Sequence, residues 1–314
     1  MSEDRNERIT HQKPDPRAGL RSLLIAIDFT AASDRIIGRL TRLPLAEDAT
    51  ITLAHVVPVG LHPGEQHNAE LDARKALSDE VRHIAELLPK SIRIRSVIKT
   101  GNAAYEITQI AKRQAADLIV MGRSSGRVLR DTFLGSTAER VIRTGKLPVL
   151  TVRLAPRTAY RRPAIAVDLD ETLPGIFTWL LRILPPPRPP VEVIHALNSP
   201  YESLAYSRLP DEAVTARRIQ LRQSALRKLE STLATAITKK GIPAKDVPWR
   251  FHVQYGSPRT VVTKAIKHCN TDILVLGTHG YSGLAHLFIG SIAGNLLREA
   301  GCDVLVVPPG SESA

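Results

Sequence analysis

ILVLGTHGYSGLAHLFIGS, residues Ile273 to Ser291 of a 314-residue chain, is the stretch that decides the fold. An apolar run of strand length, Ile273–Leu276, enters a segment that places Gly277, Gly280, Gly290 and Ser291 at the spacing Gly, two residues, Gly, nine residues, Gly-Ser. A helical pattern, Ile292–Glu299, follows. Strand, glycine loop and helix start together make an anion cradle, because backbone N–H groups converge on the ligand and glycine lets the main chain come close. The residues between include Leu284, Leu287 and Phe288, enough apolar surface to form a short packed segment that returns the chain to the pocket. The plainer alternative is a turn between strand and helix with Ser291 as the helix cap.

The same unit occurs twice. Moving back 155 residues places Gly277 on Gly122, Gly290 on Gly135, Ser291 on Ser136, Asp272 on Asp117 and Gly256 on Gly101. Nearer the start of each copy the offset is 140, with Asp168 on Asp28 and His195 on His55, so about 15 residues are inserted between His195 and Gly256. In the first copy, Leu23–Ile27, Ile51–Val57, Leu118–Met121 and Val149–Val152 read as buried strands and Ile92–Ile98 as a more polar edge. Ala73, Leu77, Val81, Ile84 and Leu88 mark one face of a helix, as do Leu226, Leu229, Leu233 and Ile237 in the second copy. Alternating strands and helices predict α/β architecture, two tandem doubly wound domains, each with a mostly parallel five-stranded sheet. The expected division is a flexible tail over 1–20, a first domain over 21–154, a linker over 155–160, a second domain over 161–309 and a tail over 310–314. The proline run Leu184–Pro190 falls where the offset of 140 is unbroken, so it is a loop inside the second copy.

Composition narrows the function classes. No apolar run reaches membrane-spanning length, and MSEDRNERITHQK at the start has no apolar core, so a cytoplasmic protein without a membrane partner is expected. Cys269 and Cys302 do not make a disulfide framework and are expected to be buried, inert thiols. The formal net charge is +12, but its densest group, Arg217, Arg218, Arg222, Arg227 and Lys228, suits a solvated helix face. Aromatic residues are only 4% of the chain, which argues against a nucleic-acid platform of stacked bases.

Asp28 and Asp168 end the first strand of each copy, where a carboxylate either accepts from a base or ribose or caps the next helix. The first copy's loop departs from the pattern, with Ser125 in the place of the second glycine, and Ser136 to Glu139 has the form of a capping box. Arg123 and Arg127 are placed to pair with phosphate there. His55 and His195 lie in apolar strands as core histidines, and His62, His67 and Glu65 share a loop too irregular to assign a metal.

The loops, the strand-end aspartates and the order of elements resemble the universal stress protein family, over residues 21–154 and 161–309, so the chain looks like a tandem member. The resemblance implies a Rossmann-like, adenine-nucleotide α-hydrolase-like fold, binding of ATP, ADP or AMP with or without Mg²⁺, and dimer-like pairing through the fifth strand, here between the two halves, with a homodimer also open. Carried over by position, it implies nucleotide contacts at Asp168, Ala196, Gly277, His279, Gly280, Gly290, Ser291 and Ile292. The first-copy counterparts are Asp28, Val56, Gly122, Ser124, Ser125, Gly135, Ser136 and Thr137, with Ser125 against the pattern. The implied role is a stress-response regulator; no residue reads as a general base for a γ-phosphate water, so no catalytic residue and at most very weak ATPase activity are expected.

Two alternatives stand beside this. One is a nucleotide-free interaction scaffold. The other follows from Ile165–Thr172, IAVDLDET, which resembles the first motif of haloacid-dehalogenase-type phosphotransferases, with Asp168 as nucleophile, Asp170 as acid/base and Mg²⁺ between them. That chemistry also needs a downstream lysine, for which Lys264 and Lys267 are available, and beyond it a closely spaced acidic pair, where the aspartates Asp272 and Asp303 stand singly.

Overall fold

The computed structural model describes residues 19–60, 62–122, 137–168, 173–197, 210–278 and 290–311. The first half runs β1 (Leu20–Ala26), α1 (Ala31–Leu40), β2 (Leu45–Val57), α2 (Pro63–Leu87), β3 (Arg93–Thr100), α3 (Ala103–Arg113), β4 (Leu118–Gly122), α4 (Thr137–Gly145) and β5 (Val149–Val152). The second repeats it with β6 (Pro163–Ala166), α5 (Leu173–Ile183), β7 (Val191–Leu197), α6 (Asp211–Lys239), β8 (Trp249–Tyr255), α7 (Pro258–His268), β9 (Ile273–Gly277), α8 (Ser291–Glu299) and β10 (Asp303–Val307).

All ten strands form one sheet in the order β3-β2-β1-β4-β5-β10-β9-β6-β7-β8. Every pairing within a half is parallel, and β5 meets β10 antiparallel, Leu150 opposite Leu305. Successive strand residues point to opposite faces, which divides the core in two. Leu23, Ile25 and Val275 pack with Ile36 of α1, Leu77 of α2, Phe177 of α5 and Leu229 of α6. Leu24, Ile119 and Leu274 pack with Ile107 of α3, Val141 of α4, Val262 of α7 and Leu296 of α8. Among the described residues four helices cover each face, which is the doubly wound arrangement that the alternating pattern predicts. The sheet edges are β3 and β8, whose partly polar composition suits half-exposed strands.

β2 begins at Leu45, six residues before the apolar run at Ile51. Its first part carries exposed Glu47 and Asp48, and the register slips between the pairs Leu20–Leu45 and Ser22–Thr50, so hydrophobicity gives no sign of it. Cys269 also departs from expectation. It is the C-cap of α7 and half-exposed, whereas Cys302 is buried and its thiol is pushed up to about 12, first by burial and then by the Asp303 charge.

The two halves are tied by a buried carboxylate at the start of β10. Asp303 has no exposed surface. Its Oδ2 accepts from Arg39 Nε at 3.1 Å and from the Tyr160 hydroxyl at 2.8 Å, and its Oδ1 accepts from the backbone N–H of Arg153 at 2.7 Å and of Leu154 at 2.9 Å. Arg39 lies over the Tyr160 ring at 4.0 Å and donates to the Thr158 carbonyl at 3.1 Å, so residues 158–160 are fastened to α1. The repeated Asp117 and Asp272 do a smaller task twice: Asp117 accepts from the backbone of Arg21 and Ser22, and Asp272 from that of Arg161 and Arg162.

Removing one side of a buried ion pair leaves an uncompensated charge, so Asp303→Ala should lower unfolding free energy by about 3–5 kcal/mol, read from urea denaturation. Burial, reinforced by the Asp303 charge, raises the Tyr160 hydroxyl well above its ordinary value. A raised pKa in the fold means stability that is intact below about pH 10 and lost as pH climbs beyond it. The stability of Tyr160→Phe should therefore fall less steeply than that of the natural chain above pH 10.

Candidate functional site

In each half the chain leaves the first strand toward one neighbour and returns on its other side, which opens a crevice at the strands' carboxyl ends, between β1 and β4 and between β6 and β9. In the second half, Asp168 stands two residues past β6, half-buried and engaged, while Gly277 ends β9 beside it, since Ala166 pairs with Leu276. Ala196 lies near the end of β7, on the other side of β6. His279 and Gly280 fall within 279–289, and Asp170 within 169–172, all outside the described residues.

The ends of the glycine loop are drawn together. Gly290 donates its N–H to the Thr278 carbonyl at 2.8 Å, and a Cβ on Gly290 would lie 3.3 Å from that oxygen. Its φ of −56° suits any residue, so glycine serves here for closeness and not for backbone freedom. Gly290 is the N-cap of α8, and exposed Ser291 and half-buried Ile292 are its first residues. This differs from the alternative in which Ser291 caps the helix: a glycine cap has no side-chain oxygen to give the first-turn amides, and that turn carries no acidic residue. The helix start keeps its partial positive charge for an anion at the crevice.

The first half shares the frame with different details. Asp28 is exposed, and its Oδ1 accepts from the Thr30 N–H at 3.2 Å, the Thr30 hydroxyl at 2.7 Å and the Ser33 hydroxyl at 3.3 Å. Thr30, not Asp28, caps α1, through a bond from the Ala32 N–H. The aspartate thus orients the cap, a third role beside the two open in the sequence. Gly122 ends β4, and a Cβ there would sit 3.0 Å from the Ala32 Cβ and 3.4 Å from Ile36 Cδ1, so this glycine admits α1 against the strand. Ser124, Ser125, Gly135 and Ser136 lie within 123–136, outside the described residues, as do Arg123 and Arg127. Val56 and Thr137, both half-buried, lie near the end of β2 and at the start of α4.

Both strand histidines have a shared task. His55 Nδ1 lies 2.9 Å from the Ile27 carbonyl, and His195 Nδ1 lies 3.0 Å from the Val167 carbonyl. Each ring ties the second strand to the residue just before the strand-end aspartate, which fixes the crevice wall. Phe29, in left-handed backbone at φ 55°, stacks on His55 at 4.5 Å. The recurrence of histidine beside recurring aspartate was the available signal; Thr278 and Ser33 carried none, because one acts through its carbonyl and the other only through Asp28.

The family model described as the universal stress protein family matches residues 19–153 and 159–308. A universal stress protein of Staphylococcus aureus strain USA300 is 38% identical over 64 residues, which are 20% of this chain and 37% of that protein, so the match spans little over a third of the relative. The crystal structure of a universal stress protein from Archaeoglobus fulgidus DSM 4304 superposes with a TM-score of 0.69 at 15% identity, covering 94% of this chain and 98% of that one. A protein of unknown function from Pseudomonas aeruginosa PAO1 gives 0.55 at 15% identity, covering 92% and 93%. At these identities the structures speak for the fold alone.

Gly122→Val places two further methyl groups against α1 and should cost about 1–3 kcal/mol by overpacking, read as a lower thermal midpoint. Gly290→Ala should cost less, since its Cβ meets a single carbonyl.

Proposed function

The chain belongs to the universal stress protein family, and on that premise we propose that it binds ATP, or ADP or AMP in its place, between β6 and β9 and acts as a nucleotide-dependent regulator of a stress response. The observation that carries this is the pinch at Thr278 and Gly290, which brings a glycine-capped helix start to the end of β9, next to Asp168. Phosphates would meet the main chain of Gly277, His279, Gly280, Gly290, Ser291 and Ile292. Asp168 would accept from the ribose or base, and the backbone of Ala196 would meet adenine. Asp170 adds negative charge near the phosphates, which a Mg²⁺ arriving with the nucleotide would offset.

The first crevice is the weaker candidate, because Ser125 replaces a glycine and the Asp28 carboxylate is occupied with Thr30 and Ser33. Family-type pairing between the two halves is supported by the β5–β10 ladder. We assign no enzymatic role, because the sequence pattern marks no residue as a general base for a γ-phosphate water. The phosphotransferase alternative draws no support from its downstream acids, since Asp272 and Asp303 accept from backbone, arginine and tyrosine donors.

Calorimetric titration with ATP, ADP and AMP tests the proposal. One site per chain is expected in the second half, lost in Gly280→Val with little change in the fold, and about 10–100-fold weaker in Asp168→Ala, the worth of a hydrogen bond to a charged group. Bound nucleotide should also raise the thermal midpoint by mass action. No heat with any of the three, or unchanged stoichiometry in Gly280→Val, overturns it.

A further inference from the structure

Glu192, His252 and Cys269 bring a carboxylate, an imidazole and a thiol together near the amino ends of the second half's strands, away from the glycine loop at their carboxyl ends. Glu192 is the second residue of β7 and is 7% exposed in a strand that is otherwise apolar apart from His195. His252 lies on the same face of β8, because its register partner Ile194 is two residues beyond Glu192. Helix α7 covers that face, with Val261 and Ile266 packed near Ile194, and ends at Cys269. One donor atom from each of the three lies within 4.8 Å of the other two. Glu192 Oε2 is 2.6 Å from His252 Nε2, and Cys269 Sγ is 3.7 Å from the same nitrogen.

The first half has the same frame without these groups. Ala54 pairs with Val97 where Ile194 pairs with His252, Thr52 occupies the place of Glu192, and Gln114 caps α3 where Cys269 caps α7. The fold is built there with threonine, valine and glutamine, so it does not require a titratable trio. In the second half, both other groups address one imidazole nitrogen, which has a single proton or a single lone pair to give. A cation seated among the three would engage all of them at once. The carbonyl end of α7 favours positive charge at this place. Arg250 Nη1, 3.3 Å from Glu192 Oε1, holds the carboxylate so that Oε2 is the one presented.

The geometry points to a binding site for a zinc-class divalent cation, with Glu192, His252 and Cys269 as ligands and water as the fourth. One nitrogen, one sulfur and one oxygen suit tetrahedral Zn²⁺. As the Zn–S bond forms the thiol proton leaves to solvent, and the carboxylate, thiolate and Zn²⁺ together are neutral.

The test uses the full chain, stripped with chelator, without nucleotide, and titrated with Co²⁺ as the probe. One Co²⁺ per chain should bind with intense visible bands of tetrahedral coordination and a near-ultraviolet thiolate-to-cobalt band, all displaced by Zn²⁺. Cys269→Ser should lose the thiolate band, and Glu192→Gln and His252→Gln should each weaken binding by more than about tenfold. Zn²⁺ should also slow iodoacetamide alkylation of Cys269 in the natural chain by about tenfold or more, with Cys302 silent because it is buried. No thiolate band, unchanged binding in the variants, or an unchanged alkylation rate overturns the site.

Discussion

One carboxylate settles how the two halves meet. The ladder between β5 and β10 has only three register pairs, and the side chains on it are small to medium and mostly apolar. A slip of two residues would keep every side chain on its own face, so apolar packing alone discriminates poorly between registers. Asp303 does discriminate. Without solvent exposure its charge must be met by donors, and two backbone amides, a guanidinium and a phenol meet it only in the observed alignment. The donors come from α1, the end of β5 and the connection after it, so register, connector path and helix position are determined together.

The crevices follow from the same economy of space. Each is bounded by strand ends whose directions are fixed by parallel pairing, and each wall is trimmed by a histidine that reaches the carbonyl before the strand-end aspartate. Glycine is needed where two pieces of main chain, or a strand and a helix, come within a methyl's distance. Gly290 meets that condition against the Thr278 carbonyl and Gly122 against Ala32, and their surroundings differ: one closes a loop ahead of a helix start, the other seats α1.

Much of this was legible in the residues. The repeat, the alternation of apolar runs with helical faces and the strand-end position of the glycine segment sufficed for two α/β units and for the place of the crevice. What escaped has physical causes. The early part of β2 sets exposed Glu47 and Asp48 between small buried Ala46 and Ala49, so no apolar run marks it. Asp28 reads as a ligand or a cap, and its support of Thr30 is a further relation between side chains that spacing does not encode. Asp303 has no counterpart in the first half, where Pro148 stands at the equivalent position, so the repeat could not draw attention to it. Glu192, His252 and Cys269 are far apart in the chain, and only β7–β8 pairing and the length of α7 bring them together.

The single antiparallel seam in an otherwise parallel ten-stranded sheet has a directional outcome. Strands on its two sides run oppositely, so the two mouths open toward opposite rims of the molecule. The Glu192 trio, at the amino ends of the second set, therefore shares a rim with the first crevice and stands back to back with the second. A macromolecule resting on one rim would leave the other uncovered.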